Sequence, residues 1–237
     1  MTEETLLRGS VAPARAVDPW TQLSRTTGII GLATFVLVFT PIIAISTLGE
    51  PPFTATTEQA HAFLVNASAN WARLATAALT VAAIALVWFV VGLSVLLARA
   101  EGSPPWRSVA ALVTGVLLPA NMLLNASWGA AAYRGADLDP GLARYAFDVG
   151  NLGFANAWVA MGSFAVASGW VVLRTRVFGR WLGWWAIVAG AGLVLSRFVW
   201  TTGAWYAPYF LFWIWVVVVA VQLIRGRLRW GGQHGHG

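Results

Sequence analysis

Apolar residues along the chain gather into six long runs, at about 26–48, 73–98, 107–131, 149–173, 180–200 and 205–224. A bilayer core about 30 Å thick needs about 20 largely apolar residues per helix, so each run is long enough to cross it. The pattern predicts an all-α, polytopic membrane protein: one bundle of six transmembrane helices over 26–224. A tail over 1–25 precedes the bundle, and a basic, then Gly/His tail over 225–237 follows it. The first run is similar in kind to a secretory signal, but it is long enough to span and no A-x-A-type cleavage site follows. It reads as a retained helix.

The polar stretches between the runs predict the connections. "EGSPPWRS" (Glu101 to Ser108) reads as a tight turn with Ser103 as N-cap and Pro104 at the first helical position. "TTEQAHAFLVNASANWARL" (Thr56 to Leu74) starts like a capped helix with Ala60, Phe63 and Leu64 on one face. It predicts a short interfacial helix over about 57–68. "YRGADLDPGLARYAFD" (Tyr133 to Asp148) carries turn signals at Asp139-Pro140-Gly141.

Charge orients this map. Only 10% of residues are charged, against roughly 25% in soluble domains, and every basic residue is Arg. Placing the N-terminus in the cytoplasm puts Arg8, Arg15, Arg25, Arg99, Arg107, Arg174, Arg176, Arg180, Arg225, Arg227 and Arg229 inside. Only Arg73, Arg134, Arg144 and Arg197 fall outside. The excess of inner Arg predicts two cytoplasmic termini. Trp106, Trp181, Trp184 and Trp185 fit an inner aromatic belt, and Trp71, Trp128, Trp200 and Trp205 an outer one. The net charge of +6 then reads as cytoplasmic-loop charge, with no nucleic-acid partner implied. Arg without Lys, in an Ala/Gly-rich chain, suggests a GC-rich bacterial genome and a bacterial plasma membrane.

The order "PPF…TTEQAHAFLVNASANWARLATAALTVAAIALVWFVVGLSVLL", an Ala/Gly-rich third span, "FDVGNLGF" and "RVFGRWLGWWAIVAG" resembles uncharacterised actinobacterial six-span integral membrane proteins. More weakly it is similar to the DUF4386-type family of unknown function. The likeness covers roughly residues 50–195 and rests on apolar, small and Trp positions. It implies architecture and bacterial membrane location, and no mechanism.

Several chemistries lack their residues. There is no Cys, so disulfides, thiolate metal sites, Fe–S clusters and Cys nucleophiles are excluded. His61 lies in the first outer loop and His234 and His236 in the tail, so the spans hold no bis-His haem site and no base for a Ser nucleophile. No Lys is available for a retinal Schiff base. Asp137, Asp139 and Asp148 lie in or beside loops, which leaves no buried acidic pair and no intramembrane proton relay. No cofactor, metal site or catalytic residue is assigned; "QHGHG" reads as a tail. The "NAS" triplets at Asn66 and Asn125 match a glycosylation pattern without weight in a bacterial protein.

What remains polar gathers toward the outer side. Counting about 1.5 Å per residue, Asn121 and Asn125 lie about 21 and 27 Å beyond Arg107; Asn156 lies about 12 Å below Asp148, and Arg197 about 25 Å above Arg180. Asn121 and Asn125 are four apart and share a face, with Pro119 just before them. Asp148 and Asn151 are three apart at the expected start of span four, where they read as a cap region. Asn156 points about 140° around from Asn151 and is expected to meet the Asn121/Asn125 face. Arg197 is read as snorkelling, or as pairing with Asp148, and Arg73 as an interfacial anchor beside Trp71. Gly150, Gly153, Ala165 and Gly169 on span four, with Ala186 and Gly190 on span five, form packing surfaces.

Two readings of these groups stay open. In one, Asn121, Asn125 and Asn156 bridge helices. In the other they line an outward cavity, with Arg197 or Arg73 attracting an anionic head and Trp128, Trp158, Trp200 and Tyr206 giving apolar walls. The expected function is a non-enzymatic membrane protein that binds membrane lipid or a partner, either another membrane protein or a further copy of the chain. The alternative is a transporter or flippase component for a lipid-like molecule, and a third reading is a lipid-modifying enzyme.

Overall fold

The computed structural model describes residues 18–228 apart from 48, 68, 125 and 126; the side chains of 44, 45, 69, 71–73 and 124 are likewise not described. Asn125, the side chains of Arg73 and Trp71, and most of both tails therefore lie outside the described residues. The elements are α1 (Pro19–Thr47), α2 (Thr57–Asn66), α3 (Ala69–Glu101), α4 (Trp106–Leu124), α5 (Ser127–Ala132), α6 (Pro140–Thr175), α7 (Arg180–Ser196) and α8 (Tyr206–Ile224), with short 3-10 turns near residues 135, 197 and 203. There is no strand among the described residues. Six helices, α1, α3, α4 with α5, α6, α7 and α8, are long and apolar enough to cross a membrane.

The six long helices pack as a ring in chain order. Each contacts the next, and α8 returns to α1. There Ser24 donates its hydroxyl to the Leu223 carbonyl at 2.8 Å, satisfying a buried polar group across the seam. Among the described residues the centre of the ring is filled by side chains. α6 also reaches across to α3, and Phe89, Leu93, Phe164, Phe212 and Trp215 fill the interior with almost no exposure. Trp215 donates its indole N–H to the Leu182 carbonyl at 3.1 Å, so even this large ring is buried with its polar edge paired.

α6 approaches α7 closely along its length, and glycine permits it. A Cβ at Gly162 would lie 2.5 Å from the Gly190 carbonyl oxygen, and a Cβ at Gly190 equally close to that of Gly162. Gly169 and Gly183 repeat the relation one step along, with Ala186 between. Small residues let two backbones approach where lipid offers no hydrophobic drive to associate. Ala165, Gly169, Ala186 and Gly190 serve this seam, whereas Gly150 faces α5, where Trp128 occupies the space its Cβ would need.

Helix starts differ from the sequence expectation: α1 begins at Pro19, inside the expected tail, and the starts of α4 and α6 differ for reasons visible in their capping. α4 begins at Trp106, so Ser103 is not its N-cap and Pro104 precedes the helix. The carboxylate of Glu101, carried over from α3, receives the Arg107 and Ser108 backbone N–H groups, the Ser108 hydroxyl at 2.6 Å and Arg107 Nη1 at 2.9 Å. A negative charge at the positive end of a helix does what a local cap would do. α6 begins nine residues before the expected 149: Asp139 is its N-cap, accepting from the Leu142 N–H at 2.9 Å, and Pro140 occupies the first turn. Asp148 and Asn151 are therefore interior helix residues, and the cap role expected of them is corrected.

The early start has a geometric result. At about 1.5 Å per residue, the 36 residues of α6 run about 54 Å, well beyond a core of about 30 Å. The projecting turns form one end of the molecule, the cap end, together with α2 and α5. Its own small core joins Ala60, Phe63 and Leu64 of α2 to Ala131, Leu138, Ala143, Ala146 and Phe147. α2 is held at its start by a reciprocal capping box between Thr56 and Gln59. His61 of α2 meets the Leu138 carbonyl through Nε2 at 2.8 Å.

Candidate functional site

The cap end carries a cavity of about 530 Å³ between two connections and one helix of the fold. The α1–α2 loop supplies Phe53 and Thr54, one face of α6 supplies Arg144, Asp148 and Leu152, and the α7–α8 connection supplies Trp200 and Thr201. Arg144, Asp148 and Leu152 share that face because they stand four residues apart.

One wall is charged. Arg144 donates Nε–H to Asp148 Oδ2 at 2.8 Å, and its Nη1 donates to the Ala55 carbonyl. The arginine thereby ties the α1–α2 loop to α6 and fixes the loop beside it. Both side chains stay partly exposed, 34% for Arg144 and 48% for Asp148, so the pair is hydrated and contributes little stability.

The other wall is aromatic. Phe53 stands 5.6 Å from Trp200 and stacks on Trp205 at 6.0 Å. Behind it Trp205 stacks on Trp158 at 5.2 Å, and Phe154 and Tyr209 meet Trp205 edge-on. Tyr206, expected as a wall residue, stacks on Trp205 at 3.9 Å. These rings pack against one another as a continuous aromatic floor. Trp158 lies within it, fully buried, and its indole N–H has no hydrogen-bond partner among the described residues.

Of the Asn residues singled out in the sequence, Asn125 lies outside the described residues, and Asn121 and Asn156 bond to different partners. Asn156 accepts a hydrogen bond from Arg197 Nε at 2.8 Å, and this bond joins α6 to the turn after α7 instead of to the α4 face bearing Asn121. Asn121 donates Nδ2 to the Leu117 carbonyl of its own helix at 2.9 Å. Arg197 thus pairs with Asn156, and Asp148 with Arg144, so the alternative of an Arg197–Asp148 pair is not the one formed: a partner one turn away along α6 takes the carboxylate. Asn151 is buried with Nδ2 unpartnered among the described residues. Trp128 belongs to the small cap core: it stacks on Phe147 at 5.3 Å and donates to that residue's carbonyl. Of the expected wall residues Trp200 lines the cavity, and Trp158 supports it from behind.

Sequence reasoning missed Phe53 and Arg144. The i,i+4 spacing of Arg144 and Asp148 was a usable signal. For Phe53 the signal was an aromatic residue in a polar loop after "GEPP".

Six membrane-length helices in a closed ring, with a helical cap over one end, define a multi-pass α-helical membrane protein. The chain belongs to the family described as Domain of unknown function (DUF4386), whose model matches residues 26–230. No curated protein and no solved structure matches the chain.

Proposed function

We propose that the chain is a non-enzymatic protein of a bacterial plasma membrane that binds a lipid-like amphiphile at the cap-end cavity, in an accessory or regulatory role. The cap end faces outward and both termini are cytoplasmic, as the Arg distribution favours. The observation that carries the reading is the cavity's division into a charged wall and an aromatic wall at a particular height. Leu152 lies about 35 Å along α6 from Thr175, at the level where head groups meet a core about 30 Å thick. A cavity there receives a head group while its chains stay in the bilayer.

Transport is the less favoured reading because the ring interior is filled by Phe89, Phe164, Phe212 and Trp215. Native mass spectrometry of protein extracted from its membrane tests the binding reading. The wild type should retain an amphiphile that Leu152→Trp, which fills the cavity, releases. Identical lipid profiles for the two proteins would refute it.

A further inference from the structure

The cavity's charge pattern also bears on which amphiphile it takes. Arg144 has five N–H donors in a fixed fork. Nε and Nη1 are engaged by Asp148 and the Ala55 carbonyl, and the Nη2 donors have no partner among the described residues. Asp148 uses Oδ2 for Arg144, and Oδ1 has no partner among the described residues. The two residues that carry a free donor pair and a free carboxylate oxygen therefore line the same cavity, with Phe53 and Trp200 sharing its boundary.

A purely anionic head would satisfy Nη2 and meet repulsion from Asp148. A purely cationic one would do the reverse. A group bearing both signs answers both atoms with charge-assisted hydrogen bonds, which are stronger than those a neutral hydroxyl would make, and the aromatic wall adds to this. Ring faces attract ammonium, most strongly when it is partly desolvated. We infer that the cavity selects a zwitterionic phosphate–ammonium head group, its phosphate oxygens on Arg144 Nη2 and its ammonium between Asp148 Oδ1 and the rings of Phe53 and Trp200. This rests on the cavity being the binding site proposed above. The same chemistry is offered by a phosphocholine- or phosphoethanolamine-type lipid and by the free head group in solution.

The test uses the full chain in a non-ionic detergent, titrated with short-chain phosphatidylcholine, short-chain phosphatidylglycerol of equal chain length, and free phosphocholine. Isothermal calorimetry and tryptophan fluorescence are the readouts. Phosphatidylcholine should bind about tenfold more tightly than phosphatidylglycerol, the scale of one cation–π contact with a charge contact. Asp148→Asn, a change at a half-exposed site with an unchanged melting temperature, should abolish that preference; Asp148→Glu should keep it. Saturable binding of free phosphocholine at the lipid's affinity supports the inference with a soluble zwitterion as source. Binding of the chain-bearing form alone supports it with a lipid as source. Equal binding of the two lipids, or a preference that survives Asp148→Asn, overturns the inference while leaving the cavity as a binding site. If neither lipid's binding responds to Leu152→Trp, the proposed function fails with it.

Discussion

Arg197 reaches across from the end of α7 and donates Nε–H to Asn156 Oδ1 of α6 at 2.8 Å. This contact joins the helix pair that also carries the glycine seam, so the same two helices are held by close backbone packing along their length and by a polar clasp near one end. The clasp should be measurable. Asn156→Leu should lower stability in detergent by about 0.6–1.7 kcal/mol, the span found for interhelical hydrogen bonds in membranes. A double-mutant cycle with Arg197→Leu should recover that figure as coupling, and additive losses would remove the clasp from the account.

The seam itself should be less forgiving. Gly162→Ala places a methyl group 2.5 Å from a backbone carbonyl that has no rotamer to turn aside. Separation of α6 and α7 should cost about 1–3 kcal/mol, read as a fall in melting temperature. Ala191→Val, on the exposed face of α7, should leave it unchanged.

Glu101 joins two helices through one carboxylate, and its side chain is only 4% exposed. Glu101→Ala leaves Arg107 beside an empty site and strips the start of α4 of its acceptor. We expect a loss of about 2 kcal/mol or more, short of the 3–5 kcal/mol typical of a fully buried pair, because Arg107 keeps 20% exposure. Glu101→Gln should fall between, since it keeps an acceptor and loses the charge. Equal stability of all three proteins in a chemical denaturation series would contradict this.

Phe63 pins α2 to the cap, edge-on to Trp128 at 5.5 Å and to Phe147 at 6.4 Å. Phe63→Ala should detach α2 at a cost on the order of 3–5 kcal/mol. Hydrogen exchange should accelerate across 57–66, while α7 and α8 keep wild-type protection. Protection across 57–66 that does not change would show that the capping box holds α2 unaided.

The six long helices were legible because length and apolarity alone decide that a run can span. Helix ends were less so. Hydropathy is blind to a helix that continues into water, so α6 was expected to start at 149, whereas Asp139 caps it and Pro140 opens it. The same Asp-Pro-Gly sequence suits a turn and a helix start. Partners were harder still. The angle between Asn151 and Asn156 follows from helix geometry, but which neighbour Asn156 meets depends on the ring order. α6 is flanked by α4 on one side and α7 on the other, and spacing within one helix does not choose between them. Phe53 could not be placed from sequence, because its position depends on Arg144 holding the Ala55 carbonyl.

The Ser24–Leu223 contact links residues 199 positions apart, and it lies on the seam where α8 meets α1. Helices enter a membrane in the order they are synthesised, so α1 waits through the insertion of all the others with that flank uncovered. Gly28, whose Cβ would meet the Ala220 carbonyl at 2.5 Å, belongs to the waiting flank. The last helix is thus the keystone of the arch: until it arrives, every earlier intermediate is an open fence, with two bare edges exposed to lipid and to whatever other helices are nearby.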